Sequence, residues 1–244
     1  MAFIAMLYGL ICYAVFFVTF LWSIAFVENI YVPKTIDLGG SAPTAEALVI
    51  NVVLLGLFAV QHSVMARPTF KGIWTRIVPR SVERSTYVLI SSLLLALMFW
   101  KWQPMPTTIW DVTPPLGRVL LVVVSWVGWL IVLTSTFLIN HFDLFGLRQV
   151  YLRMIDTPYA PPPFKQTALY RFVRHPLMLG FIVAFWATPT MSLGHLVFAI
   201  ATTAYIVVGV LLEERDLVRD LGEQYRSYQK RVPMLLPVGS SKGQ

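Results

Sequence analysis

FIAMLYGLICYAVFFVTFLWSIAFV, residues 3–27, decides the fold class because it runs for 25 positions without a charged side chain. A helix needs about 20 mostly apolar residues to cross the hydrocarbon core of a membrane. Other apolar runs lie at 45–66, 86–102, 117–139, 177–190 and 194–212. The pattern predicts an all-α integral membrane protein with about five to six transmembrane helices, a C-terminal helical hairpin and a cytoplasmic amphipathic tail. Residues 3–27 lack a charged flank and a small-residue cleavage site, which favours an embedded helix over a signal peptide.

The composition agrees with this fold class. Of the 244 residues, 57% are hydrophobic and 13% are charged, whereas soluble domains average about 25% charged residues. The mean hydropathy is +0.69. These values exclude a soluble enzyme and a disordered regulator. Cys12 is the single cysteine of the sequence, so an internal disulfide is excluded as well.

The basic residues predict the orientation in the membrane. Sixteen of the 19 Lys and Arg residues fall in three segments, 66–85, 140–176 and 213–244. Because cytoplasmic loops of membrane proteins are enriched in Lys and Arg, we expect these segments and both termini on the cytoplasmic side of a bacterial inner membrane. We therefore expect the basic residues behind the net charge of +7 to contact anionic lipid headgroups. No nucleic-acid partner is expected.

The entry to the hairpin carries Arg174, His175 and Pro176. Proline is favoured in the first turn of a helix, where its missing N–H is not needed. Pro176 therefore places Arg174 and His175 beside the free N–H groups of a helix start, which attract an anion. Ordinary anchoring at the membrane interface would explain the same residues.

Two adjacent carboxylates, Glu213 and Glu214, end the apolar run of the second hairpin arm. Carboxylates beside hydrocarbon are costly unless they are paired or bind a cation. Pairing with Arg174, Arg215 or Arg219 is one interpretation. A cation site that complements the anion site at the hairpin entry is the other.

These motifs resemble the isoprenylcysteine carboxyl methyltransferase superfamily, which includes phospholipid methyltransferases and NnrU-type membrane proteins. The resemblance covers 170–237 and rests on Tyr-Arg-x-x-Arg-His-Pro-x-x-x-Gly at 170–180, the glutamate pair, and Leu-Gly-x-x-Tyr-x-x-Tyr-x-x-Arg-Val-Pro at 221–233. It implies a membrane methyltransferase that uses S-adenosylmethionine and releases S-adenosylhomocysteine. The residues that it implies would line this cofactor are Tyr170, Arg174, His175 and Gly180, with Glu213 and Glu214 facing its cationic part. Met178 stands where an aromatic residue is common in the superfamily.

Two further stretches resemble a narrower group, the bacterial methanethiol S-methyltransferases, which make dimethyl sulfide. They are Gln-His-Ser-Val-Met-Ala-Arg-Pro at 61–68 and Asn-His-Phe-Asp-Leu-Phe-Gly-Leu-Arg-Gln at 140–149. With them the resemblance spans most of the chain. It implies a small thiol, most simply methanethiol, as the methyl acceptor.

A thiol acceptor requires a base or a positive environment, because the thiolate is the nucleophile and most thiols are protonated at neutral pH. His141 and Asp143 could form a pair in which the carboxylate orients the imidazole as proton acceptor, while Arg148 stabilises the thiolate. This arrangement requires the preceding helix to end near Asn140. His62, at the end of the second apolar run, is the competing base.

By role, the sequence divides into transmembrane helices at 1–140, a cytoplasmic loop of the active site at 141–176, and a cofactor-binding hairpin and tail at 177–244. No metal site and no obligate protein partner are expected. Two other functions remain open: methylation of a lipid or isoprenylcysteine-type acceptor, and a non-catalytic NnrU-like transporter or assembly protein. An enclosed pocket would favour a small thiol, and a lateral opening between helices would favour a lipid.

Overall fold

A computed structural model describes residues 2–40, 42–164 and 166–236. Its helices and strands, in chain order, are α1 (Ala2–Val27), α2 (Thr44–Ala66), α3 (Pro68–Trp74), α4 (Arg80–Lys101), β1 (Thr108–Asp111), α5 (Pro115–Ile139), α6 (His141–Leu144), α7 (Leu147–Met154), α8 (Pro176–Trp186), β2 (Thr190–Ser192), α9 (Leu193–Leu221) and α10 (Glu223–Arg231). A turn of 3-10 helix at Ala168–Arg171 precedes α8. The predicted all-α membrane fold is confirmed, and the two short strands are an addition to it.

Among the described residues, five helices are long and apolar enough to cross a membrane: α1, α2, α4, α5 and α9. The predicted runs 3–27, 45–66 and 117–139 match α1, α2 and α5 within two residues. Many apolar side chains on these helices are exposed, such as Phe3 at 74% and Val60 at 64%. In an integral membrane protein such side chains face lipid.

The start predicted for α4 and the end predicted for the second hairpin arm were wrong. α4 begins at Arg80, six residues before the predicted start, and α9 runs to Leu221, nine residues past the predicted end. Both predictions stopped where charged residues begin, but charge ends an apolar run and not a helix. The 29 residues of α9 give about 43 Å of helix, which exceeds the hydrocarbon core. Of the two hairpin arms, α9 is therefore long enough to cross the membrane, whereas α8, with 11 residues, is too short.

Proline marks several helix starts, as the sequence predicts for α8. Pro68, Pro115 and Pro176 are the first residues of α3, α5 and α8. The fixed backbone angle of proline suits a first turn, where no N–H is required. The predicted position of Arg174 and His175 directly before a helix start is thereby confirmed.

The chain divides into two compact units. Of the described residues, those within Met1–Thr108, Asn140–Pro162 and Ser192–His195 form unit 1, and those within Ile109–Ile139, Pro163–Met191 and Leu196–Gln244 form unit 2. This grouping by packing differs from the predicted division by role.

In unit 1, α1 packs against α4 and α7, and α4 also packs against α2. Polar contacts join the N-terminal end of α4, which begins at Arg80, to the segment around α7. Arg84 Nε donates to the carbonyl of Leu144 at 2.7 Å, and Ser85 Oγ donates to that of Gly146 at 3.2 Å. Gly146 has a φ of 89° at the start of α7, and a Cβ there would lie 2.6 Å from Ser85 Oγ. The polar first turns of α4 thus hold the segment that carries His141 and Asp143.

In unit 2, α5 and α8 cross at two glycines. A Cβ built on Gly180 would lie 2.8 Å from the Gly128 carbonyl oxygen and 2.9 Å from the backbone nitrogen of Val132. Small residues that allow close backbone approach are typical of helix contacts in membranes. The structure therefore places Gly180 in a helix crossing.

We expect Gly180→Ala to lower the stability of the protein by about 1–3 kcal/mol, because the added methyl group overpacks a backbone contact. Thermal unfolding in detergent measures this change. Gly209→Ala is the matched control, since a Cβ on Gly209 in α9 meets nothing within 4 Å. Equal melting temperatures for the two variants would contradict the assigned packing.

Candidate active site

Glu214 is the centre of a buried polar cluster within unit 2. Its Oε1 accepts from Arg174 Nε at 2.5 Å and from the Tyr225 hydroxyl at 3.3 Å. Its Oε2 accepts from Arg174 Nη2 at 3.0 Å and from Gln229 Nε2 at 2.8 Å. His175 Nε2 lies 3.1 Å from Oε1. A carboxylate with five such contacts has its hydrogen-bonding capacity filled by the protein itself.

Arg174 is occupied to the same degree. Besides its two bonds to Glu214, its Nη1 donates to the carbonyl oxygens of Gln229 and Val232. The side chains of Arg174 and Glu214 are 10% and 9% exposed. Their charges cancel inside the protein, so the pairing interpretation of the sequence is the correct one for Glu214.

Glu213, the neighbour of Glu214 along α9, lies in a different environment. Its side chain is 53% exposed, and its Oε2 lies 3.7 Å from Nδ1 of His175. Consecutive residues of a helix point about 100° apart, so one carboxylate faces the buried cluster and the other does not. Of the two glutamates, Glu213 is the one available to a cationic ligand.

Three tyrosines surround these carboxylates and stay protonated at neutral pH. Burial and the negative charge of Glu213 raise the pKa of Tyr170. Burial, reinforced by Glu214, raises the pKa of Tyr225, and burial raises that of Tyr228 to about 12. The Tyr228 hydroxyl donates to the carbonyl of Tyr170 at 2.6 Å and so holds the 3-10 turn. The predicted residue Tyr170 thus lies near Glu213, within its electrostatic reach.

The local sequence explains how distant residues reach this cluster. Gly222, whose φ of 57° suits glycine, separates α9 from α10. α10 then presents Tyr225 and Tyr228 on one face. The chain after α10 returns beside the hairpin entry, where the N–H groups of Arg174 and His175 donate to the carbonyls of Pro233 and Met234 at 2.9 and 3.2 Å. These contacts bring the hairpin entry beside the chain that follows α10.

In unit 1, His141 follows the end of α5 as predicted, since α5 ends at Ile139 and Asn140 caps the next turn. His141 Nε2 and the Tyr13 hydroxyl share a hydrogen bond of 2.7 Å. The imidazole is 7% exposed, and burial lowers the pKa of His141 below its ordinary value of 6.5. His141 is therefore neutral at pH 7 and able to accept a proton.

Asp143 is partnered differently from the predicted dyad. Its Oδ1 accepts from Arg148 Nη1 at 2.9 Å, and its Oδ2 accepts from the Tyr159 hydroxyl at 3.2 Å. His141 and Asp143 are two residues apart in the helical turn of α6, where they point to different faces. The orienting contact of His141 Nε2 is consequently the one with Tyr13.

Arg148 and His62 also have defined surroundings in unit 1. Arg148 donates to the carbonyl of Ala160 at 2.9 Å and lies over the Tyr159 ring, in addition to its contact with Asp143. Its charge is thus already balanced by a carboxylate. The ring of His62 packs between Phe58 and Tyr87, with centroid distances of 5.3 and 5.2 Å.

Tyr13, Tyr159 and Gln229 are contact residues of these clusters that sequence reasoning missed. Tyr13 lies in an apolar helix 128 positions from His141, and no spacing rule links them. Gln229 follows Tyr225 by four residues on α10, so helical spacing could have found it. Within residues 2–40, 42–164 and 166–236, no group of three or more His, Cys, Asp or Glu residues could hold a metal ion.

Comparison with known proteins gives a consistent result. The NnrU protein family matches residues 50–236. Methanethiol S-methyltransferase 1 of Bradyrhizobium diazoefficiens is 58% identical over 235 residues, covering 96% of this chain and 82% of that protein. The methanethiol S-methyltransferase of Mycobacterium tuberculosis is 57% identical over 235 residues, with 96% of each chain covered. Nurim of Bos taurus is 30% identical over 198 residues, covering 78% of this chain and 70% of that protein. No solved structure gives a significant match.

Proposed function

We propose that this chain, which belongs to the NnrU protein family and to the family of the methanethiol S-methyltransferases, transfers a methyl group from S-adenosylmethionine to methanethiol and so forms dimethyl sulfide. The chain is a methyltransferase and a multi-pass membrane protein. The observation that carries the proposal is the half-exposed carboxylate of Glu213, placed beside His175 and within reach of Tyr170.

The residues of unit 2 fit S-adenosylmethionine, which supplies a methyl group on a positively charged sulfonium when bound. Glu213 offers the negative charge that such a cation needs, and the other polar groups of the cluster are engaged with one another. His175 contacts both glutamates and so positions Glu213. Tyr170 adds a protonated hydroxyl and an aromatic face. The ion pair of Arg174 and Glu214 supports the fold beside Glu213. Gly180, which the resemblance implies would line the cofactor, lies in the contact between α5 and α8.

The thiol requires a base, and His141 is the residue that we assign to this role. It is neutral at pH 7, and the Tyr13 hydroxyl fixes the orientation of its ring. Asp143 and Arg148 form an ion pair that holds the loop after α6 in place. His62 is the alternative base, since it lies in the same unit near the end of α2.

We place the site on the cytoplasmic side of a bacterial inner membrane. The basic segments 66–85, 140–176 and 213–244 support this orientation through the positive-inside rule. S-adenosylmethionine is a soluble charged molecule, which also favours a site open to the cytoplasm.

The direct test is product formation. The detergent-purified protein is incubated with S-adenosylmethionine and methanethiol in a sealed vial, and dimethyl sulfide is measured in the headspace. We expect dimethyl sulfide above the level of a His175→Ala control. If no product forms while S-adenosylmethionine still binds, methanethiol is not the acceptor, and a lipid acceptor is tested next. Absence of binding would leave a non-catalytic role.

We expect His141→Ala to lower turnover about a hundredfold while S-adenosylmethionine affinity stays unchanged, because general-base catalysis contributes about 10²–10⁴-fold. In the wild type, the neutral imidazole is needed, and its pKa lies below 6.5. The acid limb of the pH profile should therefore lie at lower pH than a histidine of ordinary pKa would give. Tyr13→Phe should move this acid limb of the pH profile. A full rate for His141→Ala would move the role of base to His62 or remove the need for a base.

A further inference from the structure

A cavity of about 930 Å³ opens within unit 1, beside the first turn of α4. It is bounded by α3, by the start of α4 and by the segment from α6 to just beyond α7. The charged and amide side chains that line it are Lys71, Arg80, Glu83, Arg84, Asp143, Gln149, Arg153 and Asp156. A volume of this size is far greater than methanethiol needs and suits a ligand of the size of a nucleotide or a lipid headgroup.

The cavity lies at the level where membrane helices leave the bilayer. α2 ends at Ala66 and α4 begins at Arg80, and α3 lies between them. Ile73 and Ile77, in and just after α3, are 58% and 79% exposed. Exposed apolar side chains on a short interfacial helix with basic neighbours are typical of a segment that rests on the membrane surface. The cavity is therefore within reach of lipid headgroups.

One part of the lining attracts an anion. Lys71, Arg80 and Arg84 contribute positive charge, and the N-terminus of α4 adds its unpaired N–H groups. Burial lowers the pKa of Lys71, the nearby Glu83 carboxylate raises it, and Arg84 lowers it further. An anion between these groups would relieve their repulsion. Of the carboxylates in the lining, Asp143 is paired with Arg148 and Asp156 lies 3.7 Å from Arg153. Glu83 offsets part of the charge of the three cations.

Another part of the lining needs a hydrogen-bond donor. Glu83 Oε1 and Gln149 Oε1 are buried atoms that accept no hydrogen bond from the part of the chain that the structure describes. Both residues line the cavity. A buried acceptor left without a donor costs free energy, so these two oxygens favour a ligand with N–H groups.

We propose that this cavity binds the headgroup of a phospholipid with a primary ammonium, in which the phosphate lies toward Lys71, Arg80 and Arg84 and the ammonium toward Glu83 and Gln149. Phosphatidylethanolamine has this chemistry. The lipid is a bound ligand of unit 1 and not a methyl acceptor. The inference does not rest on the proposed function, because it uses none of the unit 2 residues assigned to S-adenosylmethionine.

Native mass spectrometry of the full chain in detergent tests the proposal. The protein is titrated with phosphatidylethanolamine, phosphatidylcholine and phosphatidylglycerol of identical acyl chains. We expect phosphatidylethanolamine to bind most tightly, because phosphatidylcholine has no N–H donors and phosphatidylglycerol has no ammonium. Lys71→Gln should weaken the binding of phosphatidylethanolamine about tenfold. Glu83→Gln should remove the preference for phosphatidylethanolamine over phosphatidylcholine.

Arg76→Gln is the matched control, since Arg76 is an exposed basic residue of the same segment outside the cavity lining. Melting temperatures of all variants establish that they are folded. A separate titration uses glycerophosphoethanolamine, the headgroup without acyl chains. If it binds as tightly as the lipid, the cavity recognises the headgroup chemistry and its ligand is a soluble molecule. Equal binding of the three lipids, or equal binding by Lys71→Gln and Arg76→Gln, would overturn the proposal.

Discussion

Glu213→Gln is expected to weaken the binding of S-adenosylmethionine about tenfold and to leave the melting temperature of the protein unchanged. The substitution keeps the shape of the side chain and removes the negative charge that we propose binds the sulfonium. Because this side chain is 53% exposed, its charge contributes little to stability. Isothermal titration calorimetry on the detergent-purified protein measures the affinity, and a thermal melt on the same sample measures stability.

A comparison of two ligands shows whether Glu213 recognises the sulfonium charge. S-adenosylhomocysteine lacks the sulfonium charge, so Glu213→Gln should change its affinity much less than that of S-adenosylmethionine. A similar loss for both ligands would show that Glu213 shapes the site without recognising charge. Unchanged affinity for both would remove Glu213 from the cofactor site.

Glu214→Ala is expected to act on the fold itself, with a loss of stability of about 3–5 kcal/mol, because removal of one partner leaves the other charge buried and unpaired. Arg174 is 10% exposed and donates two of its four hydrogen bonds to this carboxylate. The Tyr225 hydroxyl and the Gln229 amide would lose their acceptor as well. Chemical or thermal unfolding in detergent measures the change.

Glu223→Ala is the matched control for this second substitution, since Glu223 is 72% exposed and lies in the same unit. We expect its stability to stay within about 0.5 kcal/mol of the wild type. A Glu214→Ala protein as stable as Glu223→Ala would refute the assignment of Glu214 to the fold. Substitution of Arg174 together with Glu214 should recover part of the loss, because no lone charge remains buried.

Most of the fold could be predicted from the sequence, because lipid imposes a simple requirement on length and polarity. α1, α2 and α5 contain only apolar and small polar residues over their central parts, so their limits coincide with the limits of the apolar runs. α4 and α9 combine an apolar part with a charged part. For these two helices, backbone hydrogen bonding continues where hydropathy changes, and hydropathy alone gives the wrong boundary.

The candidate site could be predicted in part. The sequence indicates that Arg174, His175, Glu213 and Glu214 meet, because the hairpin brings its two ends together. It leaves three possible arginine partners for the glutamates, and only the packing of α10 and the returning chain selects Arg174. The contact between Tyr13 and His141 joins residues 128 positions apart in the sequence. No local pattern could have shown it.

The different surroundings of Glu213 and Glu214 have an evolutionary consequence. If Glu213 binds the cofactor as we propose, selection on activity acts on the first carboxylate, whereas selection on folding acts on the second, although they are chemically identical neighbours. A descendant of this chain that gave up methyl transfer but kept its architecture would retain Arg174 and Glu214 and would be free to lose Glu213. Among homologues, the residue at position 213 should therefore separate enzymes from relatives that keep only the scaffold.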